Sequence, residues 1–163
     1  MTTRLVTAGA ILIACLWPAG GGIAADFDAG MTAYRAGDHA TAVREWLPLA
    51  EDGMVEAQFN LGLVYRKGLG SSGDPAEAVR WFRAAADAGF HRAQFNLGEL
   101  YEDGAGVDRD LIQAFRWFKL AEHGKVPGAR KRRKAAAKRM TPAEIALGEL
   151  EYREWKRKRR EER

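Results

Sequence analysis

The hexapeptide Ala-Gln-Phe-Asn-Leu-Gly stands at 57–62 and again at 93–98, thirty-six positions apart. The same offset aligns Asp38, Asp74 and Asp110; Ala42, Ala78 and Ala114; and Trp46, Phe82 and Phe118. It also pairs Gly53 with Gly89, Tyr65 with Tyr101, Gly68 with Gly104 and Gly70 with Gly106. A period in the thirties holds two helices of about twelve residues, each roughly 18 Å long, with two turns. Neither helix buries its apolar face alone, so the units must stack.

The helical reading rests on spacing. Ala57, Leu61, Val64 and Tyr65 fall four, seven and eight residues apart, one face of a 3.6-residue helix, and Ala93, Leu97, Leu100 and Tyr101 repeat it. Gly62 and Gly98 interrupt that helix at about 1 kcal/mol each against alanine. Close approach of a partner helix would offset the loss, and Ala42, Ala78 and Ala114 are the natural counterparts.

The alternate helices open at Asp38, Asp74 and Asp110, where a carboxylate caps free amides. Asp74-Pro75-Ala76-Glu77 adds proline at the first helical position and glutamate at the third. Gly53, Gly89 and Gly124 are expected to end these helices in the left-handed conformation, with a register slip of one at Gly124 that recovers at Ala129. Strand patterns are absent from the sequence. The expectation is an all-α right-handed solenoid of antiparallel helix pairs, with helices near 27–36, 39–51, 55–66, 75–87, 91–102, 110–122, 128–139 and 142–157. Phe27 to Ala36 reads as part of an incomplete first unit. Thr141-Pro142-Ala143-Glu144 opens a closing helix with Ile145, Gly148, Tyr152 and Trp155 in one stripe.

The Ala-Gln-Phe-Asn-Leu-Gly run, the following tyrosine, Gly-x-Gly, aspartate, alanine, aromatic pair and terminal glycine together resemble the Sel-one-like repeat, a relative of the tetratricopeptide repeat. The resemblance covers Asp38 to about Met140. The division it gives is a leader at 1–25, repeats over 26–140 and a capping helix with basic tail at 141–163; 38–73 and 74–109 are the best units and 110–140 a degenerate one. The resemblance implies a scaffold for protein complexes, common in bacterial envelopes; it does not imply a substrate. A cysteine-rich branch linked to penicillin-like ligands closes its units with disulfides, and this chain lacks those cysteines.

The N-terminus reads as an address. Arg4 precedes an apolar run from Leu5 to Trp17, too short to span a bilayer, and the small residues Gly22, Ala24 and Ala25 suit cleavage near Ala25. Leu12-Ile13-Ala14-Cys15 competes as a lipid-attachment signal. The expected location is therefore periplasmic, with anchoring through Cys15 as the alternative. Cys15 is the single cysteine, so a cleaved chain has no disulfide and its stability comes from packing. Charge is uneven: residues 130–163 hold 14 Lys/Arg against 6 Asp/Glu, and residues 1–129 hold 12 against 16.

Signals for chemistry are poor. The two serines, Ser71 and Ser72, stand in a glycine-rich loop with no histidine near in sequence. His39, His91 and His123 lack a second ligand at helical spacing, which favours surface or capping roles over metal. Asp103, Asp108 and Asp110 lack the alternation and terminal glutamate of a calcium loop. Gly68-Leu69-Gly70 and Gly104-Ala105-Gly106 follow no strand and carry no phosphate-cradling lysine. Catalytic residues, cofactor and metal are therefore all read as none, with a small hydrolase as the weakest class.

A docking surface is the stronger reading. Opposite the Ala57–Leu61–Tyr65 stripe lie Glu56, Phe59, Leu63, Arg66 and Lys67, and one period on come Arg92, Phe95, Glu99, Glu102 and Asp103. Lys131, Lys138 and Arg139 take matching places in the next turn. On the concave side of a solenoid these would recognise a protein or peptide segment with acidic and apolar residues. Phe59 and Phe95 are either covered by a neighbouring repeat or presented as anchors. The competing class holds an anionic lipid or polyanion on Arg130-Lys131-Arg132-Arg133-Lys134 and Lys156-Arg157-Lys158-Arg159-Arg160. Nucleic acid is not expected, because no aromatic residues interleave those runs.

Overall fold

The computed structural model describes residues 25–69 and 73–162. Residues 1–24 of the expected leader, Cys15 among them, Gly70 and the Ser71-Ser72 pair lie outside them. Eight helices and no strand occur among the described residues: α1 (Phe27–Arg35), α2 (His39–Glu51), α3 (Val55–Lys67), α4 (Pro75–Asp87), α5 (His91–Asp103), α6 (Leu111–His123), α7 (Ala129–Ala137) and α8 (Pro142–Glu161). Each helix from α1 to α6 packs on the next, which builds a solenoid of antiparallel hairpins. Among the described residues no helix is long and apolar enough to cross a membrane.

The aspartates cap as their positions predict. Asp38 accepts from the Thr41 amide at 3.0 Å; Asp74 accepts from Ala76 at 2.9 Å and Glu77 at 3.3 Å; Asp110 accepts from Ile112 at 2.8 Å and Gln113 at 3.0 Å. Helices α3 and α5 begin without a side-chain cap, at Met54 and Phe90. There the repeated glutamines act instead. Gln58 donates to the Ala50 carbonyl at 3.0 Å and Gln94 to the Ala86 carbonyl at 3.1 Å, so each ties its helix to the last turn of the helix before it.

Five of the six letters of the hexapeptide then have a physical role. Ala57 and Ala93 are fully buried, as are Leu61 and Leu97. The phenylalanines meet the ring of the next helix, Phe59 against Phe82 at 5.8 Å and Phe95 against Phe118 at 5.7 Å between centroids. The glycines make room for those same rings. A Cβ on Gly62 would lie 2.6 Å from Phe82 Cδ1, and one on Gly98 2.8 Å from Phe118 Cδ1. This corrects the expectation that alanines oppose the glycines; the bulky aromatic of the following helix does. In the first unit the ring is Trp46 and the glycine is Gly30, whose Cβ would meet the indole at 2.3 Å.

The helix ends bring a second correction. Gly53 and Gly89 adopt φ of +93° and +92°, but Gly124 does not; Lys125 takes the left-handed place at φ +58°. The backbone thus keeps its thirty-six-residue register where the sequence appeared to slip. Glycine is required at 124 for another reason: a Cβ there would sit 2.0 Å from the His91 ring.

Helix α8 closes the stack against α6 through the predicted stripe. Gly148 is buried under Phe115, and Trp155 meets Trp117 edge-on at 6.5 Å. Glu149 pairs with Lys119, and Glu151 lies 3.7 Å from Arg116. Burial lowers the pKa of the Arg116 guanidinium while Glu151 raises it. Thr141 and Glu144 form the reciprocal capping box.

Candidate functional site

The residues singled out for docking lie on α3, α5 and α7, and the structure joins many of them to one another. Arg66 Nη1 is 2.9 Å from Glu99 Oε2, and Glu99 Oε1 is 3.0 Å from Arg132 Nη2. Arg132 Nη1 lies 3.3 Å from Glu102 Oε2, and Glu102 Oε1 is 2.9 Å from Arg139 Nη1. Five alternating charges therefore run from one hairpin to the next. Arg132 completes this ladder; the sequence reading placed it in the basic run 130–134 and not among the docking residues. Glu102 is the deepest member, with 7% of its side chain exposed. Such networks tie neighbouring units through charge-assisted hydrogen bonds, partly screened by water at the exposed arginines.

The two rings separate. Phe59 is 6% exposed, enclosed by Phe82, by Phe90 at 5.0 Å and by the Arg92 guanidinium 5.3 Å above its centroid. Of the alternatives for this ring, burial by the neighbouring repeat is the one found; it is a structural contact rather than an exposed anchor. Phe95 is half-buried; at the place of Phe90, which covers Phe59, the next unit has Val126 instead of an aromatic. Leu63 is half-buried against the core. Lys67 is exposed, its ammonium 3.4 Å from the Tyr34 hydroxyl.

Helix α7 contains no acidic residue. Lys131, Lys134 and Lys138 are exposed along it and form no ion pair among the described residues, unlike Arg133, which pairs with Glu122 at 2.6 Å. The candidate face thus runs from a charge-neutralised ladder to an uncompensated cationic end. No group of three or more histidine, cysteine, aspartate or glutamate side chains suited to a metal occurs among the described residues.

These features define a class: helical-repeat solenoids whose hairpins nest an aromatic ring over a helical glycine. Residues 55–90 and 91–123 match the Sel1 repeat family, so the chain carries two Sel1 repeats. The matched units pair α3 with α4 and α5 with α6, opening on the hexapeptide helix, half a unit after the cut at 38–73. The chain resembles c5321, a protective antigen present in uropathogenic Escherichia coli strains and displaying an SLR fold: TM-score 0.73, 33% identity, 77% of this chain and 28% of that one. It also resembles a Sel1 repeat protein from Oxalobacter formigenes: TM-score 0.63, 30% identity, 66% of this chain and 44% of that one. The chain thus spans less than half the length of either. No curated protein matches it. Sel1-repeat proteins form a non-catalytic scaffold family that generally mediates protein–protein interaction.

Proposed function

We propose that this protein is a non-enzymatic scaffold of the bacterial envelope that holds another protein along the face formed by α3, α5 and α7. The observation that carries the reading is the unpaired Lys131, Lys134 and Lys138 row, which lines one hollow with Gly128, a residue that borders the half-buried Phe95 ring. A cationic row with an adjoining ring fits an extended or helical segment bearing acidic and apolar residues. Export is supported by the Arg4 and Leu5–Trp17 pattern at the N-terminus, with a lipid anchor on Cys15 as the variant of that reading.

A second reading has its own observation. On the outer side of α8, Leu147 and Leu150 are 43% and 49% exposed, and Arg153, Arg157 and Lys158 are exposed on the same helix. A membrane surface rich in anionic lipid would suit that combination. Site-specific photocrosslinking in intact cells separates the two. A crosslinker at Lys67 or Lys138 should trap a discrete protein band, and one at Leu147 should not. Protein adducts from Leu147 alone, or lipid adducts from Leu147 with nothing from Lys138, would reject docking on the α3–α5–α7 face.

A further inference from the structure

On the other side of the molecule, α8 crosses the turn between α4 and α5 and leaves a hollow of about 290 Å³, near the roughly 300 Å³ lower bound of small-molecule sites. Its apolar wall is made by Leu120 and Trp155. Its polar lining is wholly basic or imidazole: His91, His123, Lys156, Arg159 and Arg160. We propose that this hollow binds a small amphipathic anion, a carboxylate or phosphate carried on a flat apolar body.

The charge inventory is the first argument. The inner face, α6 and the start of α8 match arginine or lysine to glutamate repeatedly, as at Arg66–Glu99, Lys119–Glu149 and Arg133–Glu122. Lys156, Arg159 and Arg160 converge with no carboxylate paired to any of them among the described residues. Like charges brought together in a concave, partly apolar site raise the local potential and favour an anion there.

The second argument is that several of these groups are fixed. Arg159 donates to the Asp87 carbonyl at 2.7 Å and the Ala88 carbonyl at 2.8 Å, so α8 is pinned to the end of α4 while other guanidinium N–H groups stay unassigned. Gln94 donates its amide to Ala86, which leaves its oxygen to accept from His91 Nδ1 at 3.0 Å. His91 Nδ1 therefore carries the hydrogen, and the Gln94 contact fixes the orientation of the ring. Lys156 Nζ donates to His123 Nε2 at 2.9 Å, and the two imidazoles lie 6.5 Å apart. Gly124 leaves the room that the His91 ring occupies. The indole of Trp155, with Arg159 5.4 Å from its centroid, offers a flat surface for the apolar body.

The start of α5 adds a smaller contribution. Its N-cap, Phe90, supplies no side-chain acceptor, so the positive end of that helix dipole faces the same region uncompensated. By itself that end would identify nothing, since α3 begins the same way at Met54.

The test is a titration of the whole protein with 2-naphthoate, followed by the imidazole resonances of its three histidines, in parallel with the uncharged 2-naphthylmethanol. His91 and His123 line the hollow, and His39, on α2, is the internal control. Saturable movement of the His91 and His123 signals is expected with naphthoate, none with the alcohol, and none at His39. The pair Lys156→Gln and Arg160→Gln, chosen because neither side chain bonds the backbone of α4, should weaken binding at least tenfold with the thermal midpoint of the free protein held. Absence of saturation at millimolar naphthoate, equal response to the alcohol, or unchanged affinity in the double variant would overturn the site. The docking face on α3, α5 and α7 plays no part in this measurement.

Discussion

At Gly98 the helix gives up the roughly 1 kcal/mol that alanine would add, and the ring of Phe118 occupies the space that a Cβ would need. Overpacking of this kind costs about 1–3 kcal/mol, because the fully buried ring must tilt in a close-packed neighbourhood. Gly98→Ala is therefore expected to destabilise the protein by about 1–2 kcal/mol in urea unfolding, despite the better helix former. Adding Phe118→Leu should make the pair cost less than the sum of the two single changes; strict additivity would reject the contact as the cause. The sequence showed that something must compensate Gly62 and Gly98 but not what. Glycine spacing reports that space is needed, while the identity of the intruding group depends on how two helices cross. The same limit applies at Lys125, where the left-handed residue is a lysine and no local pattern marks it.

At the scale of the helices the legible information was the caps. Asp38, Asp74, Asp110 and the Thr141–Glu144 box act through amides two or three residues away, so sequence distance alone specifies them. Helix bounds fell within three residues of expectation, apart from α8, which continues to Glu161. That extra turn carries Arg159, which reaches the end of α4 some seventy residues earlier in the chain, a contact that local sequence does not reveal. The caps also set a pH response. The Thr41 amide holds the Asp38 carboxyl below its ordinary value of 3.8, and Thr141 holds Glu144 below 4.5. A depressed folded-state pKa means stability that is complete above the unfolded-state value and lost as pH falls through the folded one. Thermal midpoints followed from pH 7 down to pH 2 should fall below about pH 4.5, with these two caps as contributors. Asp38→Asn keeps an oxygen acceptor without the titrating charge, so its acid limb should be shallower than that of the parent. An identical limb would remove Asp38 from the account.

For the whole molecule the question is what the Arg66–Glu99–Arg132–Glu102–Arg139 ladder does. The sequence placed four of its five members on one side of the stacked helices, since a repeat period fixes direction. Their mutual pairing was hidden, because it depends on the rise between hairpins. A ladder that couples units should be most sensitive at its most buried rung. Glu102→Gln leaves Arg139 without its carboxylate and should cost about 1–2 kcal/mol, below the 3–5 of a fully buried pair because Arg132 and Arg139 stay 38% and 43% exposed. Glu99→Gln, at a side chain 23% exposed, should cost under about 1 kcal/mol. Binding should move the other way. With Glu102 neutral, Arg139 loses its carboxylate and Arg132 keeps only Glu99, so positive charge is added beside the unpaired Lys131, Lys134 and Lys138 for an acidic ligand. A peptide alternating glutamate with leucine should therefore bind Glu102→Gln several-fold more tightly than the parent at low salt, with the difference shrinking as salt rises. Stability and affinity changing in opposite directions is the signature of a face whose own acidic rungs compete with its ligand; if both fall together, the ladder serves the fold alone and docking lies elsewhere.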